Sequence, residues 1–341
     1  MDFKYNDFTG VFTKPFGNNF LIQELGIFQE KHSDTPKIET DDLRAGKISV
    51  AESVNRYGTE LVGTERDLSL NRLLEIPHWV LSGEVDASMF QGIRRPGTQR
   101  QQNMDELVSD ESIRQYMKFR TTKEDVLARA LFTGIVNAPY TQQQVVDFSE
   151  EFGEDYSSAV IDVGSTGPLE SLDTAATALR VNLGGWVKAL KGIVVLCDPT
   201  FYKSVKYHAE IRTLVAHGVL PQSTLFNSAV RANLPAFSAF ELDGLVFVNV
   251  IGYEDYLPAG SAVMVPVFAD NIIPSDHTPL EVVSGPASRN AKIAAAGTRA
   301  EFFQYSFDDR LGNKTVMSEF GVLPLIYDLS MITKLTTSTG E

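Results

Sequence analysis

Cysteine is almost absent from this 341-residue chain, which contains only Cys197. One cysteine cannot form an internal disulfide, and it excludes metal sites that need two cysteine ligands. Long apolar runs are also missing, because no stretch approaches the roughly 18 consecutive apolar residues of a transmembrane helix. The opening Met1-Asp2-Phe3-Lys4 lacks the charged and then apolar pattern of a signal peptide. A soluble intracellular protein is the expectation that the charge balance then favours.

Positive charge is scarce. The chain has 30 Lys and Arg against 44 Asp and Glu, a formal net charge of −14. This balance argues against a protein whose whole surface binds nucleic acid, and it keeps the chain from adhering to anionic polymers. Hydrophobic residues make up 43% and charged residues 22%, which is ordinary for a globular protein. At about 100–200 residues per domain, we expect two or three packed units.

The common catalytic and nucleotide-binding motifs are missing. None of the 25 glycines falls in the G-x-G-x-x-G order that lets a backbone approach a pyrophosphate. There is no P-loop, and Gly164-Ser165-Thr166-Gly167 has the wrong spacing for a nucleophile elbow and is typical of a turn. We therefore predict no catalytic residues and no cofactor.

Histidine, at five residues, is too sparse for an obvious metal site. Only His208 and His217 share a predicted helix, and nine residues at about 100° each place them on opposite faces. The acidic pairs Asp41-Asp42 and Asp308-Asp309 lie in polar segments, where adjacent carboxylates are usually solvated. We predict no metal ligands.

Aromatic residues are concentrated at the beginning of the chain, at a spacing of four residues: Phe8, Phe12, Phe16 and Phe20. This spacing suits a helix, but Gly10, Pro15 and Gly17 interrupt it, and proline breaks a helix interior. The pattern predicts an N-terminal arm, 1–38, that lies on another surface. The alternative is that the rings join the core of their own chain.

The segment 39–103 is rich in turn residues and has few positions that could form a buried face. Lys47–Val50 and Trp79–Leu81 are typical of short strands between turns. A segment this long with so little core of its own is usually a functional extension.

The first strong helical pattern starts at Met104 and continues to the stop signal at Gly134. It predicts one long helix, or two nearly collinear helices separated near Arg120-Thr121-Thr122. Thr121 followed by Glu124 has the form of a capping box, which favours a helix start at that point.

A mixed α+β pattern occupies the remainder. Residues 141–173 contain eight acids and no Lys or Arg, and we predict them to be mostly loop, with a strand at 145–148. The later predicted elements are a helix closed by Gly184-Gly185, a buried strand at Ile193–Cys197, a helix from Pro199 to about His217 capped by Asp198, an Asp243-Gly244 turn, and strands at 246–250, 262–267 and 301–307. Cys197 should be buried and unreactive.

Four fragments in this order resemble the lambda-type major capsid (head) protein family of tailed phages. They are the helical Arg120–Gly134, the strand-to-helix segment Leu196–Phe201, the segment Phe240–Gly244 with Tyr253 and Leu257-Pro258-Ala259-Gly260 after it, and the ending Glu319–Asp328 with Leu323-Pro324-Leu325. Together they cover about residues 45–335, and the arm is outside the resemblance.

The resemblance implies an α+β, Hong Kong 97-like phage capsid fold. The implied parts are an N-terminal arm at 1–38, an extended loop at 39–103, a peripheral domain with a long spine helix at 104–168, an axial domain at 169–299, and a return strand with a C-terminal axial segment at 300–341. No motif here identifies the Lys–Asn cross-link that some relatives form.

The implied function is that of a major capsid protein in the virion, assembled in the host cytoplasm into an icosahedral shell around packaged phage DNA. Its implied partners are other copies in hexamers and pentamers, the portal, and possible decoration and scaffold proteins. It encloses double-stranded DNA without sequence-specific binding and contacts no membrane. Two alternatives are a cellular nanocompartment shell of the same fold and a soluble α+β enzyme with an unrecognised site.

A charge contact between subunits is also expected. The only charged residues between Gln91 and Gln102 are three arginines, whereas the charged residues of 141–173 are all Asp or Glu. In a shell where the extended loop covers a neighbour, the two stretches could meet; the alternative is that both are only solvated. The candidate residues are Arg94, Arg95 and Arg100 with Glu150, Glu151, Glu154 or Asp155.

Overall fold

Two β-sheets and one long helix form the core of the computed structural model. It describes residues 20–41, 71–89, 91, 103–138, 144–164, 167–217, 237–269, 278–308 and 312–338. The helices are α1 (Leu21–Leu25), α2 (Met104–Thr133), α3 (Phe148–Phe152), α4 (Pro168–Leu183), α5 (Pro199–Lys206), α6 (Ala209–Ala216) and α7 (Ala291–Ala296). The strands are β1 (Gln29–His32), β2 (Lys37–Asp41), β3 (Asn71–Glu75), β4 (His78–Val85), β5 (Ile135–Asn137), β6 (Gln144–Asp147), β7 (Ser157–Asp162), β8 (Leu190–Cys197), β9 (Ala239–Leu242), β10 (Leu245–Asn249), β11 (Ser261–Phe268), β12 (Leu280–Ser284), β13 (Phe303–Asp308), β14 (Lys314–Ile326) and β15 (Thr333–Ser338).

The six-stranded sheet has the order β7-β15-β11-β8-β10-β9 and is covered on both faces. In its central strand β8, Ile193 and Val195 pack with α4 and α5, whereas Val194 and Leu196 face the core shared with α2. Successive side chains of a strand point to opposite faces, so a continuous apolar run fits a strand that is buried on both sides. The prediction of a buried strand here is confirmed.

Cys197 ends β8 and is fully buried. Burial raises the pKa of the Cys197 thiol, and the neighbouring Asp198 carboxylate adds to the increase. Because the thiolate is the reactive form, we expect native protein to react with a maleimide orders of magnitude more slowly than urea-unfolded protein. Mass-spectrometric labelling rates measure this difference, and equal rates would contradict the burial.

Asp198 and Pro199 start α5 as predicted. The Asp198 carboxylate accepts the backbone N–H of Thr200 at 2.8 Å and that of Gly260 at 2.9 Å, so it joins two segments. The sequence predicts that this helix continues to about His217, and that prediction is wrong. The helix stops at Lys206, and α6 starts at Ala209. His208 therefore lies in the junction, where its Nε2 is 3.2 Å from the Gly164 carbonyl.

The predicted Asp243-Gly244 turn connects β9 to β10. Both residues have positive φ, 51° for Asp243 and 74° for Gly244, the backbone that a two-residue hairpin requires. Asp243 is the only non-glycine with positive φ among the described residues.

The second, five-stranded sheet is organised by β14. The first part of β14 pairs with β13 on one side and β4 on the other, and its last five residues pair with β12. β12 in turn pairs in parallel with β1. Residues 280–284, which the resemblance implies belong to the axial domain at 169–299, join the sheet that packs on α2. The predicted strand at Trp79–Leu81 is confirmed within β4.

The change of partners in β14 occurs at Gly321, where two backbones approach closely. A Cβ on Gly321 would lie 3.2 Å from the Gly285 Cα and 3.2 Å from Ile76 Cγ2. The backbone N–H of Gly285 donates to the Gly321 carbonyl at 3.1 Å, so neither backbone can move away freely.

We expect Gly321→Ala to lower the free energy of unfolding by about 1–3 kcal/mol, because the added methyl overpacks this crossing. Chemical denaturation of the subunit measures the loss. Gly192→Ala in β8 is the matched control, since no atom lies within 4 Å of its added Cβ. Equal effects of the two substitutions would contradict the crowding argument.

Helix α2 is a single helix of 30 residues, about 45 Å long. It starts after Asn103, whose backbone N–H donates to the Glu106 carboxylate at 3.4 Å, and it ends at Gly134 with φ 77°. The predicted capping box of Thr121 and Glu124 is wrong, because both residues lie inside the helix. No helix in the described residues is long and apolar enough to span a membrane.

The acidic segment 141–173 contains more regular secondary structure than predicted. The strand expected at 145–148 is confirmed as β6, but α3 and β7 also lie in the stretch predicted to be loop. β7 pairs in parallel with β15, so residues 157–162 belong to the six-stranded sheet. The predicted strand at Lys47–Val50 lies outside the described residues.

Candidate functional site

The candidate site is the surface of α2 that holds residues 20–32, which we call the arm root. The arm root comprises Phe20, α1 and β1, and it begins with the last ring of the aromatic segment singled out in the sequence. It contacts α2 through α1 and the five-stranded sheet through β1.

The buried carboxylate of Glu124 caps the N-terminus of α1. One oxygen accepts the backbone N–H of Ile22 at 2.7 Å, and the other accepts the backbone N–H of Gln23 at 3.2 Å. The side-chain amide of Gln23 also donates to it, at 2.9 Å. The first N–H groups of a helix have no partner within it. In α1, whose N-cap is Phe20, a residue 101 to 102 positions away supplies the acceptor.

Tyr253, in the segment between β10 and β11, completes this group by donating its hydroxyl to Glu124. Burial raises the pKa of Glu124, although the four donated hydrogen bonds act in the opposite direction. Burial and the adjacent Glu124 carboxylate raise the pKa of the Tyr253 hydroxyl well above its ordinary value, so it remains a donor. Glu124 thus links the arm root, α2 and the segment after β10.

Phe20 is the one predicted arm contact that lies within the described residues. Its ring is 6% exposed and lies under the Arg120 guanidinium, 4.0 Å from ring centroid to Cζ. The Gln23 amide donates to the Arg120 carbonyl at 2.9 Å, which places α1 against the same turn of α2. Phe20 thus packs within its own chain, and little of its ring is left for another subunit.

Lys123 holds the other end of the arm root. Its ammonium, with a side chain only 3% exposed, lies 2.8 Å from Glu30 of β1 and 2.8 Å from Glu301, just before β13. A buried ammonium needs such partners, because an unpaired charge is very costly to remove from water. The two carboxyls also influence each other: hydrogen bonding to Glu301 lowers the pKa of Glu30, whereas burial and then the Glu30 carboxyl raise the pKa of Glu301.

The raised pKa of Glu301 has a consequence for stability. A carboxyl whose pKa is higher in the folded than in the unfolded protein stabilises the fold below the unfolded value, near 4.5. It loses that contribution as pH rises through the folded value. We therefore expect the stability of the wild type to fall more steeply above pH 4.5 than that of Glu301→Gln, by at most about 1.4 kcal/mol per pH unit.

Urea denaturation at a series of pH values measures this difference. Comparison with Glu301→Gln isolates the residue, because Glu124 titrates equally in both proteins. Glu30, whose pKa is lowered, acts on the other side of pH 4.5, where its contribution is lost as the pH falls. Parallel curves for the two proteins above pH 4.5 would contradict the raised pKa of Glu301.

The predicted acidic contact residues lie in and after α3. Asp147 caps this helix by accepting the backbone N–H of Ser149 at 3.0 Å, and Asp155 accepts the Ser149 hydroxyl. Glu150 and Asp155 are exposed, whereas Glu151 and Glu154 are half-buried and have interactions of their own. The remaining predicted contact residues, Phe8, Phe12, Phe16, Arg94, Arg95 and Arg100, lie outside the described residues.

The sequence analysis made no prediction for Lys123, and it assigned the capping role of Glu124 to the helix that contains Glu124 and not to α1. A signal was available: Leu127 and Leu131 lie on the buried face of α2, and a step of four residues back from Leu127 reaches Lys123. A charged residue in line with an apolar stripe indicates a buried ion pair or cap. Within the described ranges, no three His, Cys, Asp or Glu residues are grouped so that they could hold a metal ion.

Comparison with solved structures agrees with this architecture. The capsid of Myoviridae phage XM1 matches with a TM-score of 0.52 at 14% identity, over 98% of this chain and 97% of that one. The capsid of cyanophage P-SCSP1u matches with a TM-score of 0.51 at 10% identity, over 99% and 94%. These likenesses show the fold, which is the Hong Kong 97-like capsid fold predicted from the sequence.

Comparison at the sequence level identifies the family. No curated protein sequence matches this chain. The family described as phage major capsid protein E matches residues 6–292, which is most of the chain. The chain therefore belongs to the phage major capsid protein E family.

Proposed function

We propose that this major capsid protein assembles into the icosahedral head shell that encloses packaged phage DNA, and that its role is structural and not catalytic. The family match over residues 6–292 carries this proposal. The capsid likenesses, which span at least 94% of each chain compared, add support because a shell subunit is expected to match over its whole length.

The two sheets suggest how the subunit is divided. The five-stranded sheet with α2 corresponds to the peripheral domain, and the six-stranded sheet with α4 and α5 corresponds to the axial domain at the centre of a capsomer. We keep 39–103 as the extended loop that covers a neighbouring subunit, with β4 as the part of it that pairs with β14 of its own subunit. Hexamers and pentamers then form the shell, with a portal and possible scaffold and decoration proteins.

Negative-stain microscopy of purified full-length protein tests the proposal, and the expected result is closed shells of uniform size. Small defined oligomers would favour a soluble enzyme instead. Shells isolated from phage-infected cells should contain double-stranded DNA. Shells that hold cargo proteins and no DNA would identify a cellular nanocompartment.

The arm gives a sharper test of assembly. A deletion of residues 1–30 would remove α1 and the first half of β1, and with them the core residues Leu21, Ile22, Ile27 and Phe28, so the deletion has to stop at residue 19. Because Phe8 and Phe12 are proposed to contact other parts of the shell, we expect the truncated protein to fold normally and to give far fewer particles. Normal particle yield would contradict a role of the arm in assembly.

The proposed charge contact between Arg94, Arg95 and Arg100 of one subunit and the acids around α3 of another is tested by charge reversal. Glu150 and Asp155 are the exposed members of that acidic group. Arg94→Glu with Arg95→Glu should depress assembly, and Glu150→Lys with Asp155→Lys should partly restore it. An exposed pair contributes only about 0–1 kcal/mol, but the contact repeats in every subunit. If the charge reversal left assembly unchanged, the alternative would hold, in which both stretches are only solvated.

A further inference from the structure

One face of α2 is covered at one end and exposed at the other. At about 100° per residue, positions 113, 117, 120 and 124 fall within about 60° of arc on the helix. Arg120 and Glu124, on the C-terminal side, are covered by the arm root. On the N-terminal side Ile113 is 55% exposed, and Tyr116, at the border of the face, is 47% exposed. Met117, one turn after Ile113, is half-buried.

The arm root points toward the exposed end of this face. The backbone N–H groups of Ile22 and Gln23 are bound at Glu124, whereas the ring of Phe20 lies at Arg120, one helical turn nearer the N-terminus of α2. Followed backward from residue 23 to residue 20, the chain therefore runs toward the N-terminus of α2. In that direction, the next residues on this face of α2 are Met117 and Ile113.

We propose that this exposed face, Ile113 with Tyr116 and Met117, is the docking surface for Phe16 of the same chain. Phe16 precedes Phe20 by four residues, and four residues of fully extended chain span at most about 14 Å. From position 120 to position 113 the helix rises only about 10 Å. The ring of Phe16 can thus reach the apolar face that begins one turn from Arg120 toward the N-terminus of α2.

The segment before Phe20 is longer than the part of α2 on which it could lie. From Arg120 to Met104 the helix extends about 24 Å, whereas the 19 residues before Phe20 reach up to about 65 Å when extended. Docking of Phe16 therefore leaves Phe12 and Phe8 enough chain to reach beyond the end of the helix. The docking of Phe16 is a property of one chain and does not depend on the proposed shell, so its test uses unassembled subunits.

Disulfide trapping tests the docking. Phe16→Cys with Ile113→Cys is compared with Phe16→Cys with Lys118→Cys, because Lys118 is about 140° around the helix from Ile113. The native Cys197 is buried and stays silent in folded protein. Under mild copper-catalysed oxidation of dilute subunits, we expect an intrachain bond to form at least tenfold faster in the Ile113 pair. Non-reducing gels and peptide mass spectrometry measure it.

Two outcomes overturn the proposal. Disulfides that form between chains would show that a second copy occupies the face, and equal rates for the two pairs would show that Phe16 does not dock there. Limited proteolysis gives an independent measurement: Ile113→Asp should increase the cleavage rate before residue 20 several-fold, whereas Lys118→Asp should not. Neither position is buried, so the subunit retains its fold.

Discussion

Replacing Glu124 with alanine is expected to lower the free energy of unfolding of the subunit by about 4 kcal/mol, the largest effect of any substitution considered for this protein. Three donors of the arm root and the Tyr253 hydroxyl lose their acceptor together. A hydrogen bond to a charged group contributes about 1.5–3 kcal/mol, and a buried donor left unsatisfied costs a similar amount. The raised pKa of Glu124 shows that burial of the carboxyl offsets part of this gain.

Urea denaturation measures the loss, and hydrogen exchange locates it. Amide protection should fall most at Ile22 and Gln23, because their N–H groups bind the carboxylate. Tyr253→Phe is the matched control, since it removes one donor, leaves the cap of α1 intact, and should cost only about 1 kcal/mol. Unchanged exchange at α1 in the Glu124 variant would contradict the capping role.

Lys123→Met is expected to cost about 3 kcal/mol, because removal of one partner from a buried ion pair leaves the other charge uncompensated. Glu30 and Glu301 would then face each other without the ammonium that lies 2.8 Å from both. The expected value is at the low end for buried pairs, because the Glu30 side chain is 55% exposed and water partly screens it.

A second substitution separates charge from packing. Lys123→Met combined with Glu301→Gln should recover much of the lost stability, since the remaining Glu30 carboxylate no longer has a charged neighbour at short distance. Lys118→Met on another side of the same helix should change stability by less than about 0.5 kcal/mol. If the double variant were no more stable than Lys123→Met, loss of packing and not loss of charge would explain the effect.

The elements that the sequence predicts correctly are those with strong local signals. Gly134 ends α2 in a left-handed conformation, Asp198 and Pro199 start α5, and Asp243-Gly244 forms a tight turn. In each case the side chain or the missing side chain of one or two residues decides the backbone. The capsid family and the fold could be recognised because several such local fragments occur in a fixed order.

The incorrect predictions concern interactions between distant residues. β7 has weak local signals and becomes a strand by pairing with β15, far along the chain. Glu124 has the spacing of a capping box in its own helix, yet it caps α1, 102 residues earlier. Lys123 pairs with Glu30 and Glu301, which no spacing rule connects. The contact residues proposed between subunits remain predictions, because they depend on neighbouring copies.

The central position of β14 also constrains when the subunit can fold during synthesis. In the five-stranded sheet β4, β12 and β13 all pair with residues 314–326, and in the six-stranded sheet β7 pairs with residues 333–338. Until the ribosome has released these residues, β4, β7 and β13 lack these partners and their edges are open to chaperones. Because these partner strands are translated last, we expect a nascent chain to join a growing shell only once its translation is complete.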